Sequence, residues 1–292
     1  MKRRIYSIIF VILLILSLYA CSDSIPGRTS TFSIQFINVG QGDSALVECD
    51  GRFMLIDGGS EAAGDTVYNI LEEKGIQHLD ILVISHMHAD HIGGLPKVLT
   101  YATEIDKTLA NSSYGQTALF RKMEHQLEIN GAKITVPHAG DKYQFGSAEI
   151  EVIDVAASSE NDSLVLMITY GDTKFLFAGD IEDDVQTRIS DKYENEKDEA
   201  YKIDLIKMPH HGSASHRSVN GTGSLYRFIR TFMPDYAVIS VGQGNMYGHP
   251  HQVTLDLLEN ANVKVYRTDM NGNIIVHSDG KTVSVEAKNK GK

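Results

Sequence analysis

Three imidazoles and a carboxylate fall within six positions of the stretch Ser85-His86-Met87-His88-Ala89-Asp90-His91-Ile92-Gly93-Gly94. Neutral imidazole and carboxylate together suit zinc, manganese or iron. The apolar run Ile81-Leu82-Val83-Ile84 just before them reads as a buried strand, so the ligands sit at its C-terminal end. A strand-to-loop turn can aim alternate side chains at two adjacent positions, and the density of the pattern predicts two metals rather than one. A solvated polar loop is the plainer reading of a lone histidine, but it does not account for His-x-His-x-Asp-His.

Further along the chain, other groups of the same chemistry follow apolar runs. The strand-like run 174–178 delivers Gly179-Asp180. Asp180 reads either as a helix N-cap or as the anion that two cations about 3.5–4 Å apart need between them. The run 203–206 leads into Lys207-Met208-Pro209-His210-His211-Gly212-Ser213. Adjacent residues leaving a strand point in opposite directions, so at most one of His210 and His211 binds metal while the other contacts substrate or supports a ligand. Ser213 and Ser215 read as phosphate-contacting or structural before nucleophilic. In Tyr247-Gly248-His249-Pro250-His251, Pro250 fits a first helical turn, which puts His249 at a helix N-terminus facing a cleft. Near the start, Gly40-Gln41-Gly42 is either a loop over the metal site or a hairpin turn.

Elements that could position these groups alternate between strand and helix. Period-two runs at 32–39, 53–56 and 149–153, and the pair 163–170 and 174–178 joined by Gly171-Asp172, predict strands. Helical spacing over 61–74 ends at Gly75, and further helices are expected at 94–99, 117–127 and through Leu255 and Leu258. Short strands at 133–136, 203–206, 236–241, 263–266, 273–277 and 282–286 complete a layered α/β arrangement. The charged stretch 191–202 reads as solvent-facing.

Composition bounds the setting. The 292 residues are 42% hydrophobic and 22% charged, ordinary globular material without repeats, and one domain at 32–287 is expected. Lys2-Arg3-Arg4, an apolar stretch and Leu18-Tyr19-Ala20-Cys21 resemble a bacterial lipoprotein signal. That implies a signal peptide at 1–20, lipidation of Cys21, a tether at 21–31 and an extracytoplasmic domain lipid-anchored to the bacterial membrane. Residues 288–292 form a basic tail. Only Cys21 and Cys49 are present, so no disulfide framework is available, and Cys49 reads as a small buried apolar residue. The formal charge of −11 becomes −14 once Lys2, Arg3 and Arg4 leave with the signal. A nucleic-acid substrate would therefore need a local basic lane, for which Lys207, Arg217, Arg227 and Arg230 are the cations nearest the motifs.

Taken in order, Asn38-Val39-Gly40-Gln41-Gly42-Asp43, Asp57-Gly58-Gly59, His86-x-His88-x-Asp90-His91, Gly179-Asp180, Pro209-His210-His211-Gly212-Ser213 and Gly248-His249-Pro250 resemble the metallo-β-lactamase superfamily. They look most like the hydrolase domain of ComEC-type competence proteins, whose relatives include phosphorylcholine esterase. The resemblance implies an α/β fold, a four-layered αβ/βα sandwich with a site for two divalent ions, Zn or Mn, at one edge. It assigns His86, His88 and Asp180 to the first metal, and Asp90, His91, Asp180 and His249 to the second. Asp57 would orient the ligand loops through hydrogen bonds. One departure is that no histidine ligand stands between the main motif and Asp180, where only His125 and His138 occur and Asn161-Asp162-Ser163 takes the expected place. The remaining position on the first metal then goes to His210, with His211 as the alternative. The implied chemistry is phosphodiester hydrolysis by water activated between the ions. Asp90 would be indispensable, and His251 or His211 would protonate the leaving oxygen. The substrate would be DNA or another envelope phosphodiester. Other readings are a phosphorylcholine esterase-like enzyme remodelling a cell-wall polymer, and a non-catalytic, metal-stabilised envelope binding lipoprotein. A carboxylate shared between two metals argues against the last, because a structural zinc site closes with four ligands of its own.

Overall fold

The computed structural model describes residues 31–156, 162–195, 201–214 and 223–287. The signal-like segment, Cys21, Asn161, Ser215, Arg217 and the basic tail lie outside them. Apolar side chains alternate along the central strands and divide between two faces. From β1 (Phe32–Phe36) and β2 (Ala45–Cys49), Phe32, Ile34, Phe36, Ala45, Val47 and Cys49 share one face, while Leu46 takes the other. In β3 (Arg52–Ile56) and β4 (His78–Ile84), Met54, Ile56, Ile81 and Val83 continue the first face and Leu55, Leu79, Leu82 and Ile84 the second. Strands apolar on both faces must be covered on both, which dictates a layered architecture.

β5 (Glu104–Ala110) and β6 (Ile134–Thr135) extend this first sheet at one edge. β14 (Ile274–Ser278) and β15 (Val283–Ala287) return from the C-terminal end to close the other. The strand order is β15-β14-β1-β2-β3-β4-β5-β6. The second sheet contains β7 (Lys142–Phe145), β8 (Ala148–Val155), β9 (Leu164–Tyr170), β10 (Thr173–Phe177), β11 (Leu205–Lys207), β12 (Tyr236–Ile239) and β13 (Lys264–Arg267), in the order β13-β12-β11-β10-β9-β8-β7. The sheets meet through one apolar layer in which Phe32 stacks on Tyr170 and Phe175, with ring centroids 4.9 Å apart in each case, and Phe36 stacks on Phe177. Cys49 is buried in this layer, as its apolar neighbours suggest, and burial pushes its thiol up to about 11.

Helices cover both outer faces. α1 (Gly64–Lys74) and α2 (Ala118–Ile129) place Val67, Leu71, Phe120, Met123 and Leu127 on the first sheet. α3 (Asp183–Asn195), α4 (Ser224–Phe232) and α5 (Gln252–Asn260) place Val185, Ile189, Phe228, Phe232 and Leu258 on the second. The result is the four-layered αβ/βα sandwich. No helix among the described residues is long and apolar enough to cross a membrane.

Some local expectations change. Residues 191–195 form the last turn of α3; Asp191, Lys192 and Glu194 face solvent as expected, but Tyr193 is buried against Phe232 with ring centroids 5.2 Å apart. The charge of its neighbours hid this anchor. After Gly94 the helix Leu95–Val98 is only one turn long, and the Gly94 amide donates to Gly59 O. Pro250 precedes α5, whose N-cap is His251.

Candidate metal centre

The turn after β4 carries the ligands because strand pairing brings the ends of β3 and β4 side by side: Ile56 pairs with Val83 in parallel register. Asp57, one residue beyond β3, therefore faces Ser85, one residue beyond Ile84. Its carboxylate accepts from Ser85 N (2.8 Å), Ser85 Oγ (2.6 Å) and His91 Nδ1 (2.9 Å). Because Ser85 Oγ donates to Asp57, it can accept from His86 Nδ1 at 3.2 Å. Each ring thereby keeps its proton on Nδ1 and turns Nε2 toward the centre, the outer-sphere support that metal-binding histidines require.

On the second sheet, β10 ends at Phe177 and Asp180 follows in a turn held by its own N–H donating to Ser163 Oγ (2.9 Å). Ser163 Oγ also lies 3.4 Å from His86 Nδ1, so the place where a further histidine was looked for holds a hydroxyl that ties the aspartate loop to the histidine loop. His125 and His138 are exposed elsewhere. The Asp180 Oδ2 atom stands 3.3 Å from His91 Nε2, 3.6 Å from His211 Nε2 and 3.8 Å from His86 Nε2.

Four groups with mutually close ligand atoms result among the described residues, two of them built on the histidine motif: His86, His88 and Asp180, and Asp90, His91 and His211. The other two, Asp43, Asp57 and His91, and Asp43, Asp180 and His211, share Asp43. His211 enters because His210 and His211 both adopt left-handed backbone angles (φ 46° and 54°). That turn aims His211 inward, its Nδ1 donating to Ser240 O (2.9 Å) and its Nε2 lying 3.1 Å from Asp90 Oδ2. His210 instead puts Nδ1 3.0 Å from Glu182 Oε1 and joins neither group. Nor does His249, whose ring centroid lies 6.3 Å from that of His211. His251 Nδ1 accepts from Ala214 N–H (2.8 Å), which leaves it at the rim.

Asp43 and Lys207 are buried contributors that sequence patterns did not single out for these roles. The Lys207 ammonium, proposed for a surface lane, is buried under the centre, paired with Asp43 and donating to Met208 O (2.9 Å). Arg227 is paired with Glu194 and Asp191. The Gly40–Gly42 segment is a loop over the site: Asp43 N donates to Asp90 O (3.1 Å), and a Cβ on Gly42 would run into that carbonyl. The signal for Asp43 was an acidic residue closing a glycine-rich turn after a strand, as with Asp57 and Asp180.

Electrostatics set the protonation pattern. Burial, aided by His91, pushes His86 down to about 3, so it is a neutral imidazole. Burial also disfavours charge on His211, but Asp180, Asp43 and Asp90 override it and push the ring up to about 10. For His91, too, Asp180 and Asp57 outweigh burial and hold it well above the usual range. Conversely, Asp90 stays at about 2: burial acts against its charge and the His211 hydrogen bond prevails. Buried His86 Nε2, His91 Nε2 and Asp180 Oδ1 have no hydrogen-bond partner among the described residues. Unpartnered ring nitrogens and a carboxylate oxygen gathered in one buried site, beside carboxylates that stay ionised, fit divalent cations.

Residues 37–218 match the family model of the metallo-beta-lactamase superfamily. The chain belongs to that superfamily. It is a metallo-β-lactamase-fold hydrolase, a fold that implies divalent metal ions. It is 28% identical over 271 residues to ComE operon protein 3 of Bacillus subtilis, covering 85% of this chain and 33% of the relative. It is likewise 28% identical over 241 residues to competence protein ComA of Neisseria gonorrhoeae, covering 80% and 30%. The ComEC-type resemblance thus holds, although the chain spans only about a third of these relatives. Among solved structures, the metallo-beta-lactamase fold protein YhfI of Bacillus subtilis superimposes with a TM-score of 0.56 at 13% identity, over 85% of this chain and 100% of the other.

Proposed function

We propose that this metallo-β-lactamase-fold chain is a dimetal phosphodiesterase that acts outside the cytoplasm on DNA or another envelope phosphodiester. The observation that carries the reading is the position of Asp180 Oδ2 within 4 Å of His86, His91 and His211, between the two ligand groups. His86, His88 and Asp180 would hold one ion and Asp90, His91, His211 and Asp180 the other, with Zn or Mn suited to the nitrogen and oxygen donors. This reading takes His211, the alternative to His210, as the ligand and leaves out His210 and His249. Two such ions supply a nucleophile at neutral pH and a counter-charge for the phosphoryl oxygens.

The protein's own groups do the rest. Asp57 and Ser85 fix the tautomers of His91 and His86, and Ser240 O fixes that of His211. His251 stands at the rim, where an imidazole can give a proton to a leaving oxygen. Similarity to competence proteins supports a membrane-associated setting, and the segment ending at Cys21 supports lipid anchorage there.

The test uses the soluble chain from Ser22 onward with Zn2+ or Mn2+. Substrates are bis-p-nitrophenyl phosphate, p-nitrophenylphosphorylcholine, linear DNA and a chromogenic cephalosporin, with Asp90→Ala as control. Metal-dependent cleavage of DNA and the simple diester, lost in the control, is expected. Preference for the choline ester would shift the substrate to a choline-bearing polymer, and turnover of the cephalosporin alone would overturn the reading.

A further inference from the structure

Four rings ascend from the centre to the surface. His91 and His211 have centroids 5.5 Å apart, His211 and His249 6.3 Å, and His249 and Tyr247 5.7 Å, with interplanar angles of 36°, 32° and 23°. The inner two belong to the proposed ligand set. Tyr247 is 59% exposed and its neighbour Met246 90% exposed. An exposed ring gives a ligand a defined flat face only if its loop is held in place.

Here the fixing is explicit. The Asn245 side chain donates to Gly242 O (2.9 Å) and His249 O (2.6 Å), and its Oδ1 accepts from Tyr247 N (3.2 Å) and His249 N (3.0 Å). Gly242 N–H in turn donates to Gln41 Oε1 (3.2 Å), and a Cβ on Gly242 would lie only 2.6 Å from Gln41 N. The ring-bearing loop is therefore keyed into the glycine loop that covers the metal centre. Exposure, stacking and rigidity together give a flat face in fixed register with the site.

We propose that Tyr247, stacked on His249, is the platform for the nucleobase next to the scissile phosphate, and so sets a preference for nucleotide diesters over simple ones. This rests on the phosphodiesterase reading for its catalytic consequence, but the face itself is a binding site. A base lying on an aromatic face needs no sequence-specific hydrogen bonds, and loss of one such contact weakens binding by roughly 5- to 150-fold. His249 serves as the inner half of the stack and keeps the platform level with the centre.

Binding and turnover are measured separately. The chain has no tryptophan, so Tyr247→Trp installs at the platform a single tryptophan that can be excited apart from the tyrosines. Thymidine 5′-monophosphate is expected to quench it, and deoxyribose 5-phosphate, the same anion without the base, to leave it bright. Equal responses to the two overturn the platform. For turnover, the ratio of kcat/KM for thymidine 5′-p-nitrophenyl phosphate to that for methyl p-nitrophenyl phosphate is compared across variants. The ratio is expected to fall about 5- to 150-fold in Tyr247→Ala and to persist in Tyr247→Phe. An unchanged ratio in Tyr247→Ala, with active enzyme, overturns the platform and leaves the phosphodiesterase reading intact. Base-dependent quenching without cleavage of any diester overturns that reading and leaves the platform standing.

Discussion

His91 Nδ1 donates to Asp57 Oδ2 at 2.9 Å, in a pair where both side chains are almost wholly buried. Asp57 reaches this position through a left-handed backbone (φ 57°) just past β3. The contact commits the ring to one tautomer and turns Nε2 to Asp180. Asp57→Asn is expected to weaken metal binding about 10- to 100-fold, as changes in the partners of metal-bound histidines do. Calorimetric titration of chelator-stripped protein measures it, with circular dichroism confirming an intact fold.

Asp180 stands between the two ligand groups, so its loss removes an atom from both. Asp180→Ala is expected to lower metal content and to cut diester hydrolysis by more than the ~100-fold of an outer-sphere change. Elemental analysis alongside bis-p-nitrophenyl phosphate turnover separates the two effects. Full metal content with normal turnover would sink the bridging role.

The two adjacent histidines are expected to behave differently. His211→Ala should shed metal, whereas His210→Ala, altering a ring that faces Glu182, should keep it. Metal per chain after gel filtration decides between them. Equal losses would contradict the geometry.

Metal uptake is expected to release protons. His91 and His211 are held above their ordinary range by neighbouring carboxylates, so in chelator-stripped protein they are largely protonated at neutral pH. A cation must displace those protons, so apparent affinity should climb as pH rises toward the His211 value of about 10. Calorimetry in buffers of different ionisation enthalpy counts the protons released. A pH-independent affinity between 6 and 9 would refute the assignment.

Lys207 and Asp43 form a buried pair beneath the centre. Lys207→Met leaves the carboxylate without its cation and is expected to cost about 3–5 kcal/mol of stability. Chemical denaturation of the chelator-stripped protein measures this free of metal effects.

Most of the fold is legible in strand periodicity, because strands packed on both faces must be apolar, and the ligands follow strands of both sheets, β4 in the first and β10 and β11 in the second. The cluster 86–91 and Asp180 declare themselves by density and by position after a strand. Orientation at His210 and His211 does not, because two consecutive left-handed residues cancel the alternation a strand exit would impose. Lys207 looked like surface because charge alone does not tell whether a long side chain points in or out. In α3 a single buried tyrosine among charged neighbours was too weak a signal of helix. The return of β14 to the first sheet depends on a pairing with β1 across more than two hundred residues, which local patterns do not carry.

That last pairing has a temporal consequence. β1 lies between β2 and β14, with Phe36 opposite Ile274, and Asn38 N–H donates to Asn273 Oδ1 at 2.8 Å. A growing chain that has already produced all its histidine and aspartate ligands still lacks the strand that completes the first sheet. The ligands therefore all precede, in order of synthesis, the strand whose pairing completes their sheet, and the contact that closes it is of the long-range kind that slows folding.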